Sequence, residues 1–111
     1  MRRRLLILAL AALLCATGCF GPHPRIVHQE LRPPAGPGRP CLLTVTVSND
    51  SRGEGQAEVT SRLRDARGAV VGQASRDFDL APHETVSVVL EIQPAGPGPY
   101  HAESDVKAPP Q

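Results

Sequence analysis

The sequence predicts an all-β protein, a small antiparallel β-sandwich of about six or seven strands. Three observations carry that prediction. Four segments alternate apolar and polar residues with a period of two, the pattern of a strand buried on one face. Clusters of Pro, Gly, Asn and Asp separate them at about ten-residue spacing, which suits short antiparallel connections. No window of the 111 residues offers a helical stripe.

The first eighteen residues are set apart from this pattern. Arg2, Arg3 and Arg4 form a basic cap, followed by the apolar run Leu5 to Leu14 and the small residues Ala16, Thr17 and Gly18. A charged start, a short apolar stretch and small residues before a break make a secretory signal. The run is too short for a bilayer span, which takes about 20 residues. In LLCATGCFG, Ala16-Thr17-Gly18-Cys19 resembles a bacterial lipobox, with Ala16 where leucine is commoner. That resemblance implies cleavage between Gly18 and Cys19, an S-diacylglyceryl group on the Cys19 thiol and an N-acyl chain on the new terminus. Cys15 does not fit, because bulky Leu14 precedes it. The alternatives are an ordinary signal cut near Gly18 with Cys19 free, or a metal clip, which would need further ligands nearby.

Lipidation would make an anchor, since each buried methylene contributes about 0.8 kcal/mol and two or more chains hold stably. The expected organisation is a signal at 1–18, a lipidated N-terminus and tether at 19–24, a sandwich at 25–107 and a tail at 108–111. The six-residue tether FGPHPR with its prolines could reach at most about 20 Å. Phe20, rather than aspartate, follows Cys19. By the enteric sorting rule this favours the outer membrane in a cell that has one, and otherwise the outer face of the cell membrane. Removing Arg2, Arg3 and Arg4 leaves nine basic residues against eleven acidic ones, so the mature chain is slightly acidic. Near-neutral charge gives no footprint for nucleic acid. Three aromatics, Phe20, Phe78 and Tyr100, are too few for a stacking platform or an aromatic cage.

The predicted strands follow in order. RIVHQEL at 25–31 is short. In CLLTVTVS, Leu43, Val45 and Val47 share a face opposite Thr44 and Thr46. In AEVTSRLRD, Ala57, Val59, Ser61 and Leu63 oppose Glu58, Thr60, Arg62 and Arg64. AVVGQASRDFDL at 69–80 is expected to bend or bulge around Gly72. In ETVSVVLEI, Val86, Val88, Leu90 and Ile92 oppose Thr85, Ser87 and Glu91, with Val89 out of pattern. In YHAESDVK, Tyr100, Ala102, Ser104 and Val106 oppose His101, Glu103, Asp105 and Lys107. A seventh strand has little room before APPQ. Turns are expected at 33–40, 49–55, 65–68, 81–84 and 94–99.

From Cys41 to Lys107 the chain resembles bacterial immunoglobulin-like modules of the CARDB and FxLYD type. The features that carry the resemblance are LTVTVSND, VTSRLRDARGAVV, FDLAPHETVSVVLEI and PGPYHAESDV. It implies an immunoglobulin-like sandwich in which Asn49 ends a strand and Pro82 sits in the corner opening the next. His83 replaces the usual glycine of that corner. Tyr100 after Pro-Gly-x reads as a tyrosine corner, its hydroxyl bonded to nearby backbone. These roles are structural, and no activity follows from them.

Candidate chemistry is thin. Cys41 is the thiol left over after lipidation, read as a buried strand-start residue or as a partner in an intermolecular disulfide. His83 beside Glu84 and His101 near Glu103 could hold a metal if their loops converged. Asp77 and Asp79 share a strand face and read as a solvated polar face, the alternative being an acid–base pair, which would need a cleft. No catalytic residue and no cofactor is expected. Strands alternating up and down would gather 33–40, 65–68 and 94–99 at one end, and 49–55 and 81–84 at the other beside the tether. The functional expectation is a lipid-anchored, non-catalytic envelope module with a membrane anchor and a protein partner. Two rivals are a metal-handling lipoprotein and a complex subunit that binds by strand addition to an open final edge.

Overall fold

The computed structural model describes residues 21–108, which form six antiparallel strands and no helix. They are β1 (Pro24–Arg32), β2 (Cys41–Asn49), β3 (Gly55–Arg64), β4 (Val70–Leu80), β5 (Thr85–Ile92) and β6 (His101–Lys107). One sheet has the order β1-β2-β5 and the other β4-β3-β6. This is the arrangement of strands A-B-E and C′-C-F in an immunoglobulin-like sandwich.

The alternation determines which side chains meet between the sheets. Leu43, Val45 and Val47 of β2 and Val88, Leu90 and Ile92 of β5 face Ala57, Val59 and Leu63 of β3, Leu80 of β4 and Ala102 of β6. Each Leu, Val or Ile among them contributes about 1.5–3 kcal/mol on removal from water, most of which offsets the entropy of ordering the chain. Val89, the residue out of pattern, lies on the outer face. Cys41 is buried at the start of β2, and burial pushes its thiol pKa up. A thiol so placed is unavailable for a disulfide between chains.

Two bulges adjust the phase. On β4 the partners step from Leu63–Gly72 to Arg64–Val70, leaving Val71 as the extra residue. The bulge expected around Gly72 is therefore present. A Cβ on Gly72 would lie 2.7 Å from Ile92 Cγ2 and 3.1 Å from the Gln93 carbonyl oxygen, so this close approach of strands requires glycine. The carbonyl freed on Val71 accepts the Ala95 N–H at 2.7 Å and ties down the crossover to β6. On β1, Val27 is the extra residue between Ile26–Val47 and His28–Thr46. That bulge lets Ile26 and Leu31 pack on the core although they are five residues apart.

Consecutive strands run alternately up and down, as the pairings require. One end carries 21–23, 50–54 and 81–84, joined by hydrogen bonds from Asp50 N–H to the His23 carbonyl and from His83 N–H to the Ser51 carbonyl. The other end carries 33–40, 65–69 and 93–100.

Candidate functional site

The two sandwich ends and the two open seams are the places where this fold could meet a partner. At the first end, Asn49 closes β2 with its side chain wholly buried. Its Oδ1 accepts from His23 N–H (3.0 Å), Ser51 N–H (3.1 Å) and Ser51 Oγ (3.1 Å). Its Nδ2 donates to the carbonyls of Gly53 and Ala81, both at 2.8 Å. One side chain thus joins the N-terminal segment, the β2–β3 loop and the β4–β5 corner. The single Ser51 hydroxyl proton is shared between Asn49 Oδ1 and the Gly21 carbonyl, each at 3.1 Å, and Pro22 is buried. The stretch expected to be a tether is, from Gly21 onward, part of the folded body.

The corner Ala81-Pro82-His83-Glu84 closes with Glu84 N–H on the Ala81 carbonyl. Pro82 takes the second position, where its fixed φ suits the turn. His83 takes the third with a φ of 55°, in the left-handed region that glycine adopts without penalty. The departure noted in the sequence is therefore a real backbone cost. Asp50, beside this end, pairs with Arg25 at 2.8 Å. Its carboxyl is held below the usual range, first by that hydrogen bond and then by nearby positive charge.

The opposite end is built from loops rich in Pro and Gly. Tyr100 packs against the core and donates its hydroxyl to the Gly96 carbonyl, which makes it a tyrosine corner at the start of β6. With Leu31, Pro33, Gly98 and Pro99 it lines an open groove of about 390 Å³. On the other side of Gly98, a second hollow of about 300 Å³ is lined by Asp65, Ala66, Arg67 and Pro97. The turn that presents Arg67 is fixed by Asp65, whose Oδ1 accepts from Arg67 N–H (2.9 Å) and Ala69 N–H (3.0 Å). Gly68, at φ 83°, completes it. Arg32, Arg39 and Arg67 at this end form no ion pair among the described residues.

Each seam between the sheets is bridged by one exposed polar side chain from an edge strand, and neither was evident in the sequence. Gln29 of β1 donates to the Ala102 carbonyl of β6 (3.0 Å), and its Oε1 accepts from Ser104 Oγ (2.8 Å). Ser104 in turn pairs with buried Ser61 (2.7 Å), so the polar serine on the core face of β3 is satisfied. Across the other seam, Arg76 of β4 donates to the Val89 carbonyl of β5 (2.9 Å). The signal was a polar residue at an inward phase of an edge strand, a device that discourages edge-to-edge pairing. β6 is an edge, as expected, but Gln29 already occupies part of it.

The remaining candidates separate. His83 and Glu84 lie at one end and His101 at the other, so the convergence needed for a metal site does not occur. Glu84 accepts the Ala81 N–H (3.0 Å), and Glu103 pairs with Arg64 (2.9 Å). Among the described residues no three His, Cys, Asp or Glu side chains could hold an ion. Asp77 and Asp79 are exposed on β4, opposite Glu58 and Gln56. Gly18 and Cys19 lie outside the described residues.

No family model matches this chain, and no curated protein does. Among solved structures it is similar to a β-glucuronidase from glycoside hydrolase family 2, with a TM-score of 0.63 and 14% identity. The match covers 73% of this chain and 10% of that enzyme. A similarity at that identity shows the fold: this chain is a small immunoglobulin-like β-sandwich.

Proposed function

We propose that this chain is a bacterial lipoprotein, cut after Gly18 and lipidated on Cys19, whose sandwich is a non-catalytic interaction module of the cell envelope. One observation carries the reading: the sandwich has a tied-down N-terminal end and, opposite it, a loop end rich in Pro and Gly with an open groove. Prolines and the Tyr100 corner hold that groove in shape, so little entropy is lost when a partner docks. Arg32, Arg39 and Arg67, on the strand ends and loops of the same end, suit a protein partner that offers an apolar side chain next to acidic residues. Phe20 after the cysteine favours the outer membrane where there is one. The immunoglobulin-like module of CARDB or FxLYD type implied by the sequence motifs fits a role in binding.

Two measurements test this. Radioactive palmitate should label the wild type and not Cys19→Ala; equal labelling refutes the anchor. A charge reversal, Arg39→Glu with Arg67→Glu, should release whatever copurifies with the membrane-anchored protein in mild detergent while leaving its thermal stability unchanged. Unaltered copurification refutes the loop end as the contact surface.

A further inference from the structure

From the way the N-terminal segment is tied down, we propose that the end formed by 21–23, 50–54 and 81–84 is a lipid-contacting surface seated on the headgroup layer of the bilayer. The inference rests on lipidation of Cys19. The Gly21 carbonyl is held by Ser51 Oγ, Pro22 is buried, His23 N–H is held by Asn49, and the His23 carbonyl accepts the Asp50 N–H at 3.1 Å. The chain is therefore fixed from Gly21 onward, and Phe20 alone separates it from Cys19. Consecutive Cα atoms are 3.8 Å apart, so the anchor lies within about 8 Å of Gly21 whatever conformation Phe20 takes. A free six-residue tether would have allowed about 20 Å and any orientation. The headgroup layer is itself about 5–8 Å thick on each side of the hydrocarbon core. A domain held this closely cannot turn its N-terminal end away from the lipid.

The chemistry of that end matches headgroups and not acyl chains. Asp50, Arg52, Glu54, Pro82, His83 and Glu84 are exposed there, and Asp50 is neutralised by Arg25. Mixed signs with no basic excess suit a mainly zwitterionic layer. Phe20, the residue between strap and anchor, is apolar, of the kind that membrane-surface segments bury at the boundary of headgroups and acyl chains. Strands of nine or ten residues at about 3.3 Å each then place the groove end about 30 Å from the membrane.

The test uses the lipidated protein in vesicles of phosphatidylethanolamine with a minor share of phosphatidylglycerol, containing headgroup-nitroxide lipid. A fluorophore is placed on Arg52→Cys or on Gly36→Cys, Cys41 being buried and unreactive. Quenching at position 52 should be several-fold stronger than at position 36. Inserting about ten Gly/Ser residues between Phe20 and Gly21, a reach of about 18 Å, should bring the two close to equal. Equal quenching without the insertion overturns the proposal, and quenching at 52 that survives it overturns the role of the strap. Palmitate labelling is read on the same samples, so absent acylation, which refutes the anchor itself, is distinguishable from a wrong orientation.

Discussion

Replacing Asn49 by alanine is the sharpest perturbation of this fold. The side chain makes four hydrogen bonds to backbone groups from a buried position and shares the Ser51 hydroxyl proton with the Gly21 carbonyl. Truncation strands two backbone N–H groups and the Gly53 carbonyl, whereas the Ala81 carbonyl keeps the Glu84 N–H and the Ser51 hydroxyl can turn to the Gly21 carbonyl. At about 1 kcal/mol net for each bond, with some groups near the surface regaining water, the loss should be about 2–4 kcal/mol. The whole domain is worth about 4–13 kcal/mol at usual values per residue. With an unfolding entropy near 2.1 cal/mol/K per residue over about 90 residues, 3 kcal/mol lowers the Tm by about 16 °C. Urea denaturation and calorimetry give the size of the loss. Hydrogen exchange gives its location: the amides of His23 and Ser51 should lose protection while those around Tyr100 keep theirs. Thr46→Ala is the control, since its bond to Ser87 lies on the exposed face and should cost about 0.5 kcal/mol or less. A loss below about 1 kcal/mol for Asn49→Ala, or protection lost evenly at both ends, would refute the role of this side chain as the tie of three segments.

Three further outcomes are expected. His83→Gly should stabilise the protein by about 0.5–1 kcal/mol in urea denaturation, because the left-handed backbone cost of about 1–2 kcal/mol exceeds glycine's entropic penalty. Gly72→Ala should destabilise by about 1–3 kcal/mol through overlap with Ile92, whereas Gly36→Ala, with nothing within 4 Å, should leave the Tm unchanged. Arg25→Gln should raise the Asp50 carboxyl toward its ordinary 3.8, as read by NMR titration. The sign follows from linkage: a carboxyl depressed in the folded state stabilises above its unfolded pKa and loses that effect as pH falls through the folded value. The variant should therefore show a shallower loss of stability on acidification.

Much of the core was legible because a half-buried strand writes its burial every second residue. The inward sets Leu43-Val45-Val47, Ala57-Val59-Ser61-Leu63 and Val88-Leu90-Ile92 were readable for that reason. β1 was not. Ile26 and Leu31 are five apart, so strict alternation would put them on opposite faces, and only pairing with β2 reveals the bulge at Val27 that reconciles them. The seam bridges were hidden for a different reason. Gln29 and Arg76 look like ordinary polar residues until the strands facing them are known to present free carbonyls at Ala102 and Val89.

The sequence by itself determined the strands and their turn chemistry, because these depend on residues close together along the chain, while the Tyr100 corner and the places of Asn49 and Pro82 came from the resemblance to immunoglobulin-like modules. The gathering of the loops at two ends already followed from alternating strands, but only the tertiary structure decided that Asn49 ties three segments together and that Gly21 to His23 belong to the body rather than to a tether. Those outcomes depend on hydrogen bonds between residues 26 to 32 positions apart, such as His23 to Asn49 and Asn49 to Ala81. Contacts at that separation leave no local period in the sequence, since what fixes them is the order in which strands from distant segments pair.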